Sequence, residues 1–437
     1  MFSTPAAAER TSAGAWLQAM LDFESALAAA QAAAGVVPRA AAEEIARCCR
    51  AELFDVDSIA ERAVSSATPV IPLVRDLSAV LGEDAKPHVH RGATSQDVID
   101  TAAMLVARDV LGLIIGDLRA AADECARLAE QHRGTIMIAR SLLQQALPTT
   151  FGNRCATWLV SLDEAVTALE RMRRERLAVQ FGGAAGTLAA LGSDGVRVLG
   201  LLAAELELAE PVAPWHTDRT RVAELAGALG TAAGALGKIA LDVELHAQTE
   251  VGELTEGEAG GSSAMPHKQN PVSAVLVTAA TKRVPGLVAT LLAAMPQEHE
   301  RAAGTWQSEW EPLTELLRLV AAASARTRRL LAGLRTRPEQ MAANLDLTRG
   351  LVMAESAAGR LVDALGRTEA QDLVGQLCRR AVLEGTTLRE ELLAEQRVRQ
   401  VLSEDEVVAA TEPSDYLGSA HAFVDRALTA HAELEER

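Results

Sequence analysis

Aromatic side chains are scarce: one Tyr, six Phe and five Trp make up 3% of 437 residues. Hydrophobic residues nevertheless reach 49%, so aliphatic side chains and alanine must supply the buried surface, which favours close-packed helices over a β-sandwich. Positive charge is also short. Lys plus Arg number 42 against 59 Asp plus Glu, a net charge of −17, which argues against nucleic acid or an anionic membrane as the main partner. An anionic small molecule would have to be met by cations gathered locally. The five cysteines, Cys48, Cys49, Cys125, Cys155 and Cys378, form neither a C-x-x-C nor a Cys/His cluster, so reduced thiols are expected and no metal centre. Long apolar runs are missing too. The longest, Leu287 to Met295, is well below membrane-spanning length, and Glu9 and Arg10 interrupt the N-terminus where an export signal needs an apolar stretch. The expectation is a cytoplasmic chain.

Helical periodicity is abundant. The first hundred residues read as short helices broken by Gly35, Pro38, Pro69, Pro72, Gly82 and Pro87. From Thr101 to Arg133, Met104, Leu105, Leu111, Ile114, Ile115, Leu118 and Ala122 recur at spacings of three and four, one helix face, with Gly134 as a stop. Comparable stretches run from about 151 to 179, 221 to 251, 271 to 292 and 312 to 334, and five long helices suggest a bundle. In the segment 225–243 Ala and Gly occupy nearly every side, which favours a bundle shared between subunits over a monomeric core. No run alternates convincingly over strand length. The expected fold is all-α, with an N-terminal helical domain over 1–100, a central long-helix domain over 101–345 and a C-terminal helical domain over 346–437.

The most informative segment is GGSSAMPHKQNP, from Gly260 to Pro271. Paired glycines let the backbone approach a ligand closely, Pro271 suits the first position of the following helix, and the loop presents hydroxyl, ammonium and amide groups together. The ordered motif G-S-S-x-M-P-x-K-x-N resembles the signature loop of the fumarase/aspartase superfamily of lyases. HRGATSQDVIDT, from His90 to Thr101, resembles that superfamily's carboxylate-binding loop, and RSLLQQALPTTFG, from Arg140 to Gly152, resembles the region that follows it. The resemblance extends over essentially the whole chain to the lactone-forming branch, whose members act on a carboxymuconate.

That resemblance implies an all-α homotetramer built on a twenty-helix bundle, with each active site assembled from three subunits. It also implies a mechanism. A base removes the proton next to a carboxylate, giving an aci-carboxylate dianion, and a group on the neighbouring carbon leaves. The implied base is Ser262, which needs help to ionise; Lys268 and Asn270 would stabilise the growing charge. The implied substrate is a small tricarboxylate, with no cofactor or metal. Candidate ligands for its charges are Lys268, Arg301, Arg219, His90 and His299, joined by the hydroxyls of Thr94 and Ser95 and the amide of Gln144. Arg219 departs from the pattern, since relatives usually show Gln-Arg-Asp where this chain has Asp218-Arg219-Thr220.

One departure is chemically telling. Fumarases and the adenylosuccinate and argininosuccinate lyases carry Thr-His where this chain has Ser141-Leu142. That histidine assists departure of a hydroxide or amine, and leucine cannot move protons. A poor leaving group needs assistance worth roughly 10²–10⁴ in rate, but a carboxylate, with a reference pKa near 4, leaves unaided. Leu142 therefore favours lactone chemistry over an adenylosuccinate lyase-like elimination, and the resemblance implies a place in the breakdown of protocatechuate. A catalytically silent scaffold of the same fold is opposed by the joint presence of Ser262, Lys268, Asn270, Thr94 and Ser95.

Overall fold

The computed structural model describes residues 1–436 apart from 258–259, 262–264 and 266–267. It is predominantly helical, as the apolar spacing requires. The elements that matter below are α1 (Ala13–Ala33), α2 (Ser95–Gln131), α3 (Phe151–Arg171), α4 (Thr220–His246), α5 (Val272–Thr281), α6 (Val284–Ala293), α7 (Trp310–Ala332) and the last helix, α8 (Ala420–Glu435). Contacts divide the chain into two compact units, each drawn from three segments. Unit 1 comprises Met1–Arg119, Glu164–Lys238 and Leu276–Thr327; unit 2 comprises Ala120–Asp163, Ile239–Val275 and Arg328–Arg437. All five boundaries fall inside α2, α3, α4, α5 and α7.

The periodicity of α2 translates directly into burial. Met104, Ala107, Leu111, Ile114, Leu118, Ala121 and Cys125 are fully buried, a stripe that advances by three or four residues per step. At 37 residues this helix is about 55 Å long. Two expected helices end earlier than their apolar pattern. Past Arg171, α3 gives way to a π-helical turn over Met172–Arg176, whose sequence is MRRER. Helix α4 stops at His246, where the Glu253 N–H turns back to donate to the His246 carbonyl at 2.9 Å. A third, expected as one helix over 271–292, is two. Pro285 has no N–H to bond back into the preceding turn, and the helix breaks at Lys282–Arg283. In the first hundred residues the opposite holds, since α1 runs unbroken for 21 residues.

Strand pairing, absent from the sequence reading, occurs in unit 2. Strands β1 (Ile136–Ser141) and β2 (Gln144–Thr150) form an antiparallel hairpin with Ile136 opposite Thr150 and Ser141 opposite Gln144. Its two-residue connection is Leu142-Leu143, both at positive φ, 49° and 63°. Such turns normally use Asn or Gly, so nothing local announced this one. Ile138 of β1 is buried with Leu345, Met353, Leu361, Leu377 and Val398 in the core of unit 2.

The hairpin is tied down by a carboxylate. Glu253, fully buried, accepts from both terminal nitrogens of Arg140 on β1 at 2.8 and 3.0 Å and from Asn344 at 2.8 Å, and it faces Nδ1 of His246 at 2.5 Å. Burial works to raise its pKa, but the hydrogen bonds from His246, Arg140 and Asn344 prevail and hold it down to about 2. A carboxyl whose pKa is depressed on folding stabilises above its unfolded pKa and loses that contribution as pH falls through the folded one. Glu253→Gln is therefore expected to cost about 3 kcal/mol at neutral pH. It should also remove much of the acid-induced loss of stability between roughly pH 4.5 and 2. Denaturant melts of both proteins across that range provide the measurement.

Candidate active site

Unit 1 brings several of the expected ligand residues to the start of α2. Thr94 precedes the first helical residue, Ser95. The Thr94 N–H donates to Oδ2 of Asp97 at 3.0 Å, and its hydroxyl accepts from Nη1 of Arg301 at 2.9 Å. The Ser95 hydroxyl makes no hydrogen bond among the described residues. Four residues before Thr94, His90 sits at φ 54° with Nδ1 2.6 Å from Oε1 of Glu24 on α1. The first turns of a helix carry unsatisfied N–H groups and a positive dipole end. Thr94, Ser95, His90 and Arg301 are thus brought together where a carboxylate is favoured. His299 lies on the same loop as Arg301, exposed and at φ 49°.

Below this surface the acids are fully used. Asp97 accepts from the N–H groups of Gly182 and Gly183 at 3.0 and 2.9 Å and faces Nε2 of His216 at 2.7 Å. Those glycines are required by space: a Cβ on Gly182 would lie 2.7 Å from Pro214 Cβ, and one on Gly183 2.8 Å from the Gly92 carbonyl oxygen. One layer deeper, Arg219 is 3% exposed. It bridges Asp100 at 2.8 and 3.0 Å and Glu309 at 2.6 to 3.1 Å. Burial works against its charge, yet the charge of Asp100 and the hydrogen bonds to Glu309 and Asp100 raise its pKa. The donors of Arg219, expected as a substrate ligand, are spent within this chain on two buried carboxylates, which it holds in place.

Unit 2 carries the remaining candidates. Gly260 and Asn270 exchange backbone hydrogen bonds at 3.0 and 3.1 Å, closing the neck of the signature loop. A Cβ on Gly260 would come within 2.2 Å of Val272. Buried Glu256 caps α5, accepting from the N–H groups of Ser273 and Ala274 at 3.0 and 2.8 Å. Lys268 is exposed, its N–H donating to the Met265 carbonyl at 3.0 Å. Ser262 lies outside the described residues. Gln144 is exposed at the hairpin, and Leu142 at its tip is 96% exposed. Within its own chain Leu142 lines no wall.

Charge explains how unit 1 suits an anion. Burial lowers the Arg301 pKa, opposed by the charges of Asp97 and Asp100, and a guanidinium remains protonated throughout. For His90, burial acts to lower the pKa, but the charge and hydrogen bond of Glu24 and the charge of Asp97 leave it raised. The sequence reading missed Glu24, and only a fold-level contact reveals it, because FESALAAA carries no chemical signature.

Comparison with known proteins fixes the class. Residues 3–286 match the family model described as Lyase, and residues 350–427 match Adenylosuccinate lyase C-terminus. The chain belongs to the fumarase/aspartase superfamily of lyases, whose members are oligomeric enzymes acting on small carboxylates. It is 47% identical to the 3-carboxy-cis,cis-muconate cycloisomerase of Pseudomonas aeruginosa, over 96% of this chain and 92% of that one. It is 43% identical to the nitrosuccinate lyase of Streptomyces davaonensis, over 95% and 90%. The crystal structure of the 3-carboxy-cis,cis-muconate lactonizing enzyme from Pseudomonas putida superposes with a TM-score of 0.93 at 43% identity, covering 99% of this chain and 98% of that one.

The His90–Glu24 pair makes a pH-dependent prediction. Because folding raises the His90 pKa, the pair's contribution is complete below about pH 6.5 and is lost as pH rises through the higher folded-state value. Glu24→Gln should move the His90 titration, followed by NMR of its ring protons, to lower pH. An unchanged titration would show that Glu24 does not set the charge on this imidazole.

Proposed function

We propose that this chain is a cofactor-independent cycloisomerase that interconverts 3-carboxy-cis,cis-muconate and its carboxymuconolactone in cytoplasmic protocatechuate catabolism. The agreement with characterised cycloisomerases over nearly the whole chain supports this reading. The observation that carries it into mechanism is Leu142, an aliphatic side chain at the hairpin tip where amine-releasing relatives carry a proton-donating histidine. In the lactone-opening direction Ser262 removes the proton next to a carboxylate, and the ring carboxylate oxygen departs as a carboxylate. Such a leaving group needs no acid. In the closing direction one carboxylate oxygen bonds to the conjugated carbon while Ser262 returns a proton to its neighbour, so the atoms balance without water or an external reactant. Lys268 and Asn270 stabilise the dianion, while Thr94, Ser95, His90, Arg301 and, less centrally, His299 and Gln144 meet the remaining carboxylates.

A second reading has a specific basis. Leu142 is equally compatible with expelling any weakly basic anion, and a nitrosuccinate lyase shares 43% of the sequence. Adenylosuccinate lyase-like cleavage, which needs an acid for its amine, is disfavoured by the same leucine. Ultraviolet assays with 3-carboxy-cis,cis-muconate, nitrosuccinate and adenylosuccinate in parallel separate these activities from one another and from a silent scaffold. On the preferred substrate, Ser262→Ala should lower kcat by at least about 10²-fold. Lys268→Met should be comparably damaging through loss of transition-state stabilisation, and Ser263→Ala mild. Leu142→His should bring no large gain, because no acid is wanted there. A nearly active Ser262→Ala would move the proton transfer to another group.

The assembly reading is a homotetramer with active sites shared among three subunits and the central segment 101–345 at its core. Support comes from apolar surface left open on the long helices. The stretch Val272–Ala293 contains an 18-residue window of mean hydropathy 1.4, enough by length and composition to cross a membrane, yet only 28% of that window is buried within the chain, and the stretch is broken into α5 and α6. Val160, Leu241, Leu245, Val275 and Leu292 are also open. Faces of this kind are covered by other subunits or by lipid. Light scattering of detergent-free protein should give a mass near four chains, and a stable, active monomer would overturn the shared-site reading.

A further inference from the structure

Helix α8 carries His431 and Glu435 one turn apart, so both side chains project from the same face. Opposite them in unit 2 stand Asp123 on α2 and Asp163 on α3. His431 is nine-tenths buried. Its Nδ1 lies 3.0 and 3.1 Å from the two carboxylate oxygens of Asp163. A carboxylate only accepts, so Nδ1 is the protonated nitrogen and donates to Asp163. That leaves Nε2 directed at two further acids, 3.3 Å from Oδ1 of Asp123 and 3.9 Å from Oε1 of Glu435.

A neutral imidazole in this setting points a lone pair at two carboxylate oxygens, which is repulsive. A positive centre at Nε2 resolves it. A proton supplies one charge against three carboxylates, while a divalent cation supplies two and uses the lone pair itself. The spacing suits the second choice. The three ligand atoms lie within 4.8 Å of one another. Bonds of about 2.0–2.2 Å to nitrogen and oxygen set the edge of a tetrahedral zinc site at roughly 3.3–3.5 Å. One pair already has that separation, and the other acid sits on an exposed side chain free to close. An imidazole whose far nitrogen is held by a carboxylate is the usual outer arrangement around a metal-bound histidine, where it fixes the tautomer and raises ligand basicity.

We propose that Asp123, His431 and Glu435 bind a divalent transition cation of the zinc type, with Asp163 as the positioning residue for the imidazole. None of the four residues is among those assigned to the reaction, and the site's role is structural: it fastens the last helix to α2. Mixed imidazole and carboxylate ligands favour zinc or cobalt over magnesium or calcium.

The test uses the full-length protein freed of metal by chelation. Titration with Co2+ should produce the visible absorption of a low-symmetry site, saturating at one ion per chain, and Zn2+ should displace it. Zn2+ should raise the melting temperature while leaving turnover unchanged. Asp123→Asn and Glu435→Gln change exposed side chains and should each weaken Zn2+ binding at least tenfold by calorimetry. His431→Gln should abolish the cobalt spectrum, and Asp163→Asn should weaken binding about 10- to 100-fold with the ligands intact. Absence of a saturable site, or binding undiminished in both Asp123→Asn and His431→Gln, would overturn the proposal and leave a protonated His431 as the clasp.

Discussion

The cluster of expected ligand residues in unit 1 depends on one buried arginine. Asp100 and Glu309 come from distant parts of the chain, and neither can be buried as a carboxylate without a cation between them, because desolvating an unpaired charge costs several kcal/mol. Arg219 supplies that cation in a form that contacts both at once. Neighbouring donors complete the cluster: Trp306 Nε1 and Gln96 Nε2 bond to Asp100, and Gln297 Nε2 bonds to Glu309. A buried ion triad of this kind adds little net stability compared with an apolar replacement. What it supplies here is register, since Gln96 and Asp100 lie in the first turns of α2 and Gln297 lies just ahead of His299 and Arg301.

The same geometry explains how a protein of net charge −17 can receive a small polyanion. Excess acid is not removed from the site's neighbourhood; it is neutralised internally. Asp97 is consumed by two glycine N–H groups, the Thr94 N–H and His216, and Asp100 and Glu309 by Arg219. Glu24 is the exception that helps, because it faces His90 and thereby favours the imidazolium. With their partners satisfied below, Arg301 and His90 offer positive charge above. The long-range field remains unfavourable to anions, so the proposed function requires recognition through short-range contacts such as these and the start of α2.

Sequence reading succeeded where structure is governed by local repetition. The three-and-four spacing of α2 needs no knowledge of partners, and each of the residues named from it is buried. Motifs were equally legible, because a glycine pair or a Thr-Ser before a helix carries its conformational reason with it. Two failures share one cause, long-range partnership. Arg219 looks like any arginine near a motif until Asp100, 119 residues away, and Glu309, 90 residues away, are found against it. Glu24 reads as one polar residue in an alanine-rich helix until His90 arrives. The hairpin is a local failure of a different sort, since Leu142-Leu143 gives no turn signal although both residues sit in the left-handed region.

That strained turn connects the fold to the reaction class. Two exposed leucines at positive φ are costly twice over, in backbone strain and in apolar surface left in water. Selection on stability alone would place Asn-Gly there. On the shared-site assembly proposed above these residues act outside their own chain, and their side chains limit what they can do there: they can exclude water and shape a wall, and they cannot donate a proton. An enzyme that releases hydroxide or an amine would lose catalysis by such a replacement, whereas one whose leaving group departs as a stable anion would lose nothing and gain a drier site, in which each charge contact to the developing dianion is stronger.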